Sequence, residues 1–321
     1  MADMYTYAVA RVKVREMNLL TSADIRQLVS AKSYDDAIRM LSDKGFDGGG
    51  SFSSYDGLLS GEQKKLWDFI SELTDDLSVF DVFRTEKDFH NVKAAIKAHF
   101  SGSAPENIYL NGGTVDVEKI TNAVKNRDFS VLPGVLSVPS EDAVSILNKT
   151  GDGQKCDIVM DKAMINAKIS AAEKTGNEFL VGYAKLFADI SALKVAVRCC
   201  ETGKDREFTE FALPECSFDK AEIVAAVASG REAFLEFLNK TQFSDAAEYA
   251  VDSYSAFEKW CDNRIMDFIK DQKSNYFTIA PVAAYILARE NEIRVVRIIL
   301  SAKINGFPEG AVMERLRDMY V

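Results

Sequence analysis

Three stretches of this chain, spaced at nearly equal intervals, carry one short helical pattern, and no other feature constrains the fold as much. Asp88-Phe89-His90-Asn91-Val92-Lys93-Ala94-Ala95-Ile96-Lys97 is similar to Asp189-Ile190-Ser191-Ala192-Leu193-Lys194-Val195-Ala196-Val197-Arg198, with a fainter third copy in Asn291-Glu292-Ile293-Arg294-Val295-Val296. The shared basic residues Lys93, Lys194 and Arg294 stand 101 and 100 positions apart. An apolar pair precedes each of them by 68 to 74 residues: Ile25 with Val29, Ile120 with Val124, Ile223 with Val227. Self-similarity at a fixed period marks a repeated supersecondary block. Chance likeness among amphipathic helices is the alternative, and the near-equal spacing of two independent features favours a repeat over it. The pattern predicts three helical units, 1–105, 106–210 and 211–321.

Helix signals fill the rest of the chain, and only six prolines in 321 residues interrupt them. Tyr183, Leu186, Phe187, Ile190, Leu193 and Val197 recur at three and four, as do Phe89, Val92, Ile96 and Phe100. Ser33 is placed to cap a short helix, with Asp35 and Asp36 in its first turn and Gly45 just past its end. The first segment is less regular. Ala8, Ala10, Val12 and Val14 alternate with Val9, Arg11, Lys13 and Arg15, a strand period, but few strand signals elsewhere offer it a partner, so a helix is expected there too. The fold class is all-α.

The segment from Pro281 to Ile304 is predicted as one long helix, with proline in its first turn and Asn305-Gly306 at its end. Ile286, Ile293, Val296 and Leu300 form one apolar face, and Val295, Ile298 and Ile299 make the opposite side apolar as well. A helix packed on both sides must pair its charges, because an unpaired buried ion costs several kcal/mol. Arg289, Glu290, Glu292, Arg294 and Arg297 are therefore a candidate structural or interface cluster. Glu290 and Arg294 are spaced for an i,i+4 pair.

Little in the chain suggests chemistry. His90 and His99, the two histidines, lie nine apart and point to opposite sides of one helix, so no shared metal is expected. Neither supplies a Ser-His-Asp or Cys-His arrangement. The glycine-rich stretches 47–51 and 151–153 lack the Gly-Lys-Ser/Thr of a phosphate loop and read as flexible loops. Asp75 and Asp76 lack the third aspartate of a diphosphate motif, Val79 standing in its place, and suit a helix start. No catalytic, cofactor or metal residue is assigned. Five scattered cysteines without a C-x-x-C pair fit a reducing cytoplasm. The opening Met-Ala-Asp-Met-Tyr-Thr-Tyr lacks the features of a signal peptide, and the longest uncharged run, 274–288, is too short and broken to span a bilayer. A net charge of −10, from 39 basic and 49 acidic residues, disfavours nucleic acid and anionic lipid as main partners.

Several of these segments carry a family resemblance. Pro281-Val282-Ala283-Ala284-Tyr285-Ile286-Leu287-Ala288-Arg289-Glu290-Asn291-Glu292-Ile293-Arg294, followed by Arg297, Lys303, Asn305 and Gly306, resembles the C-terminal signature of the C subunit of bacterial and archaeal V/A-type ATPases, whose eukaryotic counterpart is the d subunit. Tyr7-Ala8-Val9-Ala10-Arg11-Val12 through Leu19-Leu20 resembles that family's opening. Asp88 to Lys93 resembles its Asp-x-x-Asn-hydrophobic-Lys helix; Ala192 replaces Asn91 in the second copy, so no role is read into that position. The resemblance covers essentially the whole chain. It implies a funnel-like body of three pseudo-threefold-related helical units with no catalytic role and no cofactor. It also implies a place between the rotating shaft (the D and F subunits) and the membrane rotor ring of a rotary ATPase or ATP synthase that moves protons or sodium ions. The chain is then expected in the cytoplasm, peripheral to the membrane through the complex, with the loops 47–61 and 101–114 offered as adapters to ring or shaft. Two other readings stand beside it: a helical-repeat adaptor of a different complex, which needs matching residues on a concave face, and an all-α enzyme, which needs a buried titratable cluster.

Overall fold

The computed structural model of the chain describes residues 2–48, 54–74, 76–103 and 108–321, and among these every regular element is helical. In chain order the α-helices are α1 (Ala2–Glu16), α2 (Ser22–Ser30), α3 (Tyr34–Asp43), α4 (Tyr55–Ser71), α5 (Asp81–Ser101), α6 (Val117–Asn126), α7 (Gly134–Thr150), α8 (Gly153–Thr175), α9 (Glu178–Glu201), α10 (Arg206–Ala212), α11 (Lys220–Ala228), α12 (Arg231–Asn239), α13 (Ala246–Asp252), α14 (Tyr254–Lys270), α15 (Ala280–Ile304) and α16 (Glu309–Arg315). Packing sorts them into two compact units: 1–77 together with 255–321, and 78–254.

The first unit is discontinuous in sequence and built around α15. Sixteen residues of that helix are buried, as its two apolar sides predict, and Pro281 occupies its first turn. Ile293, Val296, Ile299 and Leu300 join Ile25 and Leu28 of α2, Leu41 of α3 and Leu58 of α4 in one core. α1 is a helix despite its alternating valines: Val9 and Val12 are buried while Val14 is 63% exposed, which is a helical face and not a strand face. Ser33 caps α3 by accepting the Asp36 N–H at 3.1 Å. Gly45, just past the helix end, has φ of 85°, a left-handed backbone that favours glycine. The same unit closes the C-terminus of α2, where Lys303 Nζ of α15 donates to the carbonyls of Val29 (2.9 Å) and Ala31 (2.6 Å).

The second unit packs α5 against α8, with α6, α7 and α9 around them. Phe89, Val92 and Ile96 of α5 share a core with Ile120 and Val124 of α6, Leu136 of α7 and Met160 of α8. Lys168 of α8 is only 1% exposed; its ammonium donates to Glu86 at 3.0 Å and lies 4.1 Å from the centre of the Phe187 ring.

The three apolar pairs of the repeat are all buried, each in a helix of nine or ten residues: Ile25 and Val29 in α2, Ile120 and Val124 in α6, Ile223 and Val227 in α11. Of the two proposed adapter loops, 55–61 is the opening of α4, and 108–114 is tied to α5 by the side chains described below. Gly49, Gly50, Ser51, Asp75 and residues 104–107 lie outside the described residues. Among the described residues no helix is long and apolar enough to cross a membrane.

Candidate functional site

Within the first unit, the charges expected along 289–297 divide into a buried cluster and an exposed edge. Arg289 and Glu292 lie one turn apart on α15, and the guanidinium bridges Glu292 to Glu62 of α4. Side-chain exposure is 14% for Arg289, 1% for Glu292 and 0% for Glu62. The backbone approaches to these helices supply further donors. Glu62 Oε1 accepts the N–H groups of Asp47 (3.1 Å) and Gly48 (2.9 Å) and the Lys65 ammonium (2.9 Å), and Lys65 also pairs with Asp47. Glu292 Oε1 accepts the Leu20 N–H. The guanidinium lies 4.2 Å from the centre of the Phe46 ring. Gly61 is required beside Glu62, because a side chain there would overlap the Gly48 backbone.

Burial pulls the Arg289 guanidinium down, but Glu292 and Glu62 together outweigh that pull and hold it above its ordinary value. Glu292 shares the Arg289 cation with Glu62, so burial prevails and pushes its carboxyl up against the attraction of Arg289. The result is an ionic joint linking α4, α15, the segment after α1 and the segment after α3. Its oxygens are engaged by fixed donors, an arrangement suited to holding elements together.

Glu290 does not pair with Arg294 as its spacing suggested: it accepts a hydrogen bond from Gln63 at 3.2 Å, while Arg294 is exposed with no ion pair among the described residues. Arg297 pairs with Asp56 at the surface. The repeat-equivalent bases differ in exposure. Lys93 pairs with Asp161, Lys194 is half-buried, and Arg294 faces solvent.

Each of the three long helices of the repeat carries a buried carboxylate that holds backbone, Asp88 and Asp189 at equivalent positions and Glu292 at the position of Asn91 and Ala192. Asp88 of α5 accepts the N–H groups of Thr114 (2.9 Å) and Val115 (3.1 Å) and the Thr114 hydroxyl (2.6 Å) at the approach to α6. Asp189 of α9 accepts the N–H and hydroxyl of Ser217, both at 2.7 Å, at the approach to α11. Glu292 of α15 takes the Leu20 N–H at the approach to α2. Each long helix thus anchors the entry of a short one through a buried carboxylate. In the second unit α5 adds three more ties. Asn91 holds both the N–H (2.7 Å) and the carbonyl (2.9 Å) of Leu110, His90 reaches the Ile108 carbonyl (3.0 Å), and Arg84 donates to the Gly113 carbonyl (2.8 Å). Asn91, given no role on account of Ala192, therefore has one, and Glu292 at the equivalent position of the third copy likewise accepts a backbone N–H. The shared aspartates at the head of the repeat were the available signal; their backbone partners had none.

The sequence profile of the ATP synthase (C/AC39) subunit family matches residues 8–315. The chain is 20% identical to the C subunit of the V-type sodium ATPase of Enterococcus hirae, over 96% of this chain and 97% of that protein. It is 24% identical to the C subunit of the V-type ATP synthase of Thermus thermophilus, over 98% and 99%. To the C subunit of the A-type ATP synthase of Haloquadratum walsbyi it is 22% identical, over 96% of each.

Proposed function

The chain belongs to the ATP synthase (C/AC39) subunit family, and from that premise we propose that it is the non-catalytic central-stalk subunit of a V/A-type rotary ATPase or ATP synthase. In this reading it joins the D–F shaft to the membrane rotor ring and transmits torque that drives, or is driven by, proton or sodium movement. The observation that carries it is the end-to-end correspondence with relatives named as C subunits of V-type and A-type enzymes, at 96 to 99% of both lengths for three of them. The chain works from the cytoplasmic side and reaches the membrane through its complex. Its body is a funnel-like set of three related units near 1–105, 106–210 and 211–321. That division is supported by the three buried apolar pairs and by the acid that anchors each short helix.

The physical demand on such a joint is rigidity. Each ion crossing about 100 mV delivers about 2.3 kcal/mol, and a rotor element that yields under a few such steps dissipates the work. A buried ionic joint whose disruption costs about 3–5 kcal/mol, tying both ends of the chain into one unit, suits that demand. Of the candidate structural or interface charges, Arg289, Glu290 and Glu292 are engaged within the unit, Arg297 pairs with Asp56 at the surface, and the exposed Arg294 is available to a partner.

The test is isolation of the native chain from gently solubilised membranes. Shaft subunits and the rotor ring are expected to accompany it. A stable monomer free of ATPase subunits in every preparation refutes the assignment.

A further inference from the structure

At the ionic joint the first unit holds a cleft of about 520 Å³, bounded by the end of α1 and the segment after it, the end of α3, α4 and α15. That volume is in the range of ligand-binding clefts. Two of its polar side chains are left unused by the fold. Arg15, exposed at the end of α1, places its guanidinium 4.8 Å from the centre of the Phe69 ring and has no anionic partner among the described residues. Arg11, on the same ring at 5.3 Å, is by contrast paired with Glu72 at 2.7 Å. Tyr285 of α15 is only 6% exposed, packs against Phe69 at 5.9 Å in an edge arrangement, and lines the same cleft. Its hydroxyl has no hydrogen-bond partner among the described residues and is not a buried atom, so it is reachable from the cleft.

The remaining charges of the cleft are mostly engaged. Arg289 and Lys65 are held by Glu62, and Lys44 by Asp24 at 2.7 Å. Asp43, exposed at the end of α3, lies on the α3 side of the cleft; Arg15 and Tyr285 belong to the side formed by α1, α4 and α15.

We propose that this cleft binds a carboxylate presented by an acidic segment of another polypeptide, with Arg15 forking both oxygens and the Tyr285 hydroxyl donating to one of them. A single free guanidinium balances one negative charge, which matches a carboxylate better than a phosphate monoester at about −1.5 to −2. Met17, Leu19, Leu66 and Phe69 supply apolar walls for the residues flanking the acid, a provision a free carboxylic acid does not need. The inference follows from the cleft and is independent of the stalk assignment.

The experiment uses the isolated full chain and three probes: the blocked tripeptide acetyl-Leu-Glu-Leu-amide, its glutamine counterpart, and free glutarate, each titrated by nuclear magnetic resonance. The glutamate peptide is expected to bind about tenfold or more tightly than the glutamine peptide, the yield of one charge-assisted hydrogen-bonded pair. Tyr285→Phe and Arg15→Met each remove most of that preference, while Arg11→Met keeps it. Tyr285→Phe deletes only an unused hydroxyl, so an unchanged melting curve shows that the variant is folded. Equal binding of the two peptides, or a preference that survives both variants, overturns the proposal. Glutarate binding as tightly as the peptide overturns the polypeptide assignment in favour of a free acid.

Discussion

Replacing Arg289 with methionine tests the ionic joint most sharply. The substitution keeps a long side chain against the Phe46 ring but strands two carboxylates. They are not stranded equally. Among the described residues Glu62 retains Lys65 and the N–H groups of Asp47 and Gly48, whereas Glu292 retains the Leu20 N–H. Most of the penalty therefore falls on Glu292, a side chain 1% exposed, and breaking a buried pair from one side costs about 3–5 kcal/mol. With a urea dependence of about 2 kcal/mol per molar, the unfolding midpoint of the first unit should drop by about 2 M. Both tryptophans of the chain, Trp67 and Trp260, lie in that unit, so intrinsic fluorescence follows its unfolding selectively. The pH dependence has a defined sign. Burial already holds Glu292 above its ordinary 4.5, and loss of Arg289 raises it further. A carboxyl with a raised folded pKa takes up its proton more readily folded than unfolded, so its penalty is greatest well above that raised value and shrinks as the pH falls towards the ordinary 4.5. Adding Glu292→Gln, which still accepts the Leu20 N–H without charge, should recover more than half of the loss at neutral pH. A fluorescence transition within about 0.5 M of the wild type at neutral pH, about 1 kcal/mol at that urea dependence, would refute the ionic joint as a stabilising element.

Gly113→Ala is expected to destabilise the second unit by about 2–4 kcal/mol, because its methyl group would strike the Asp88 carboxylate and displace a buried hydrogen-bonded group; the loss should appear in far-ultraviolet circular dichroism, with early hydrogen exchange at Thr114 and Val115. Lys168→Met should change stability by less than about 1.5 kcal/mol, since it keeps the buried stem against Phe187 and leaves Glu86 46% exposed to solvent. Lys168→Ala should lose about 2–4 kcal/mol to the cavity it opens, and urea titration separates the two. Burial pushes the Cys200 thiol up to about 11, leaving about a thousandth of it as thiolate at pH 8; iodoacetamide should modify Cys200 at least about tenfold more slowly in the folded chain than in urea, as peptide mapping will show.

How much of this was legible in the sequence depended on how local the physics was. α3 and α15 were readable because their boundaries are written in a few adjacent residues, Ser33 and Gly45 for one and Pro281 and Asn305-Gly306 for the other. Even α1 was recoverable, although its alternating valines mimic a strand, because nothing else in the chain offered a sheet to join. The partner of Arg289 was not. Glu62 lies 227 positions away in Gly-Glu-Gln-Lys-Lys, a segment that reads as an exposed helix face, and only the fold makes its carboxylate the most buried of the joint. The repeat behaved in the same way. Its apolar pairs are local and were identified, but its chemistry lies in Asp88, Asp189 and Glu292 reaching backbone amides whose positions a sequence does not display. Of the conspicuous basic residues, Lys93 and Lys194 are half-buried while Arg294 is exposed.

The proposed coupling of shaft to ring has a functional readout. The most direct measurement takes the whole complex reconstituted in vesicles, depleted of this subunit and then resupplied with it, and follows ATP hydrolysis and ion uptake together. The depleted complex is expected to hydrolyse ATP but accumulate no ion, and adding the chain back to restore uptake in proportion to the amount bound. Ion uptake per ATP that is the same with and without the chain would contradict the coupling role.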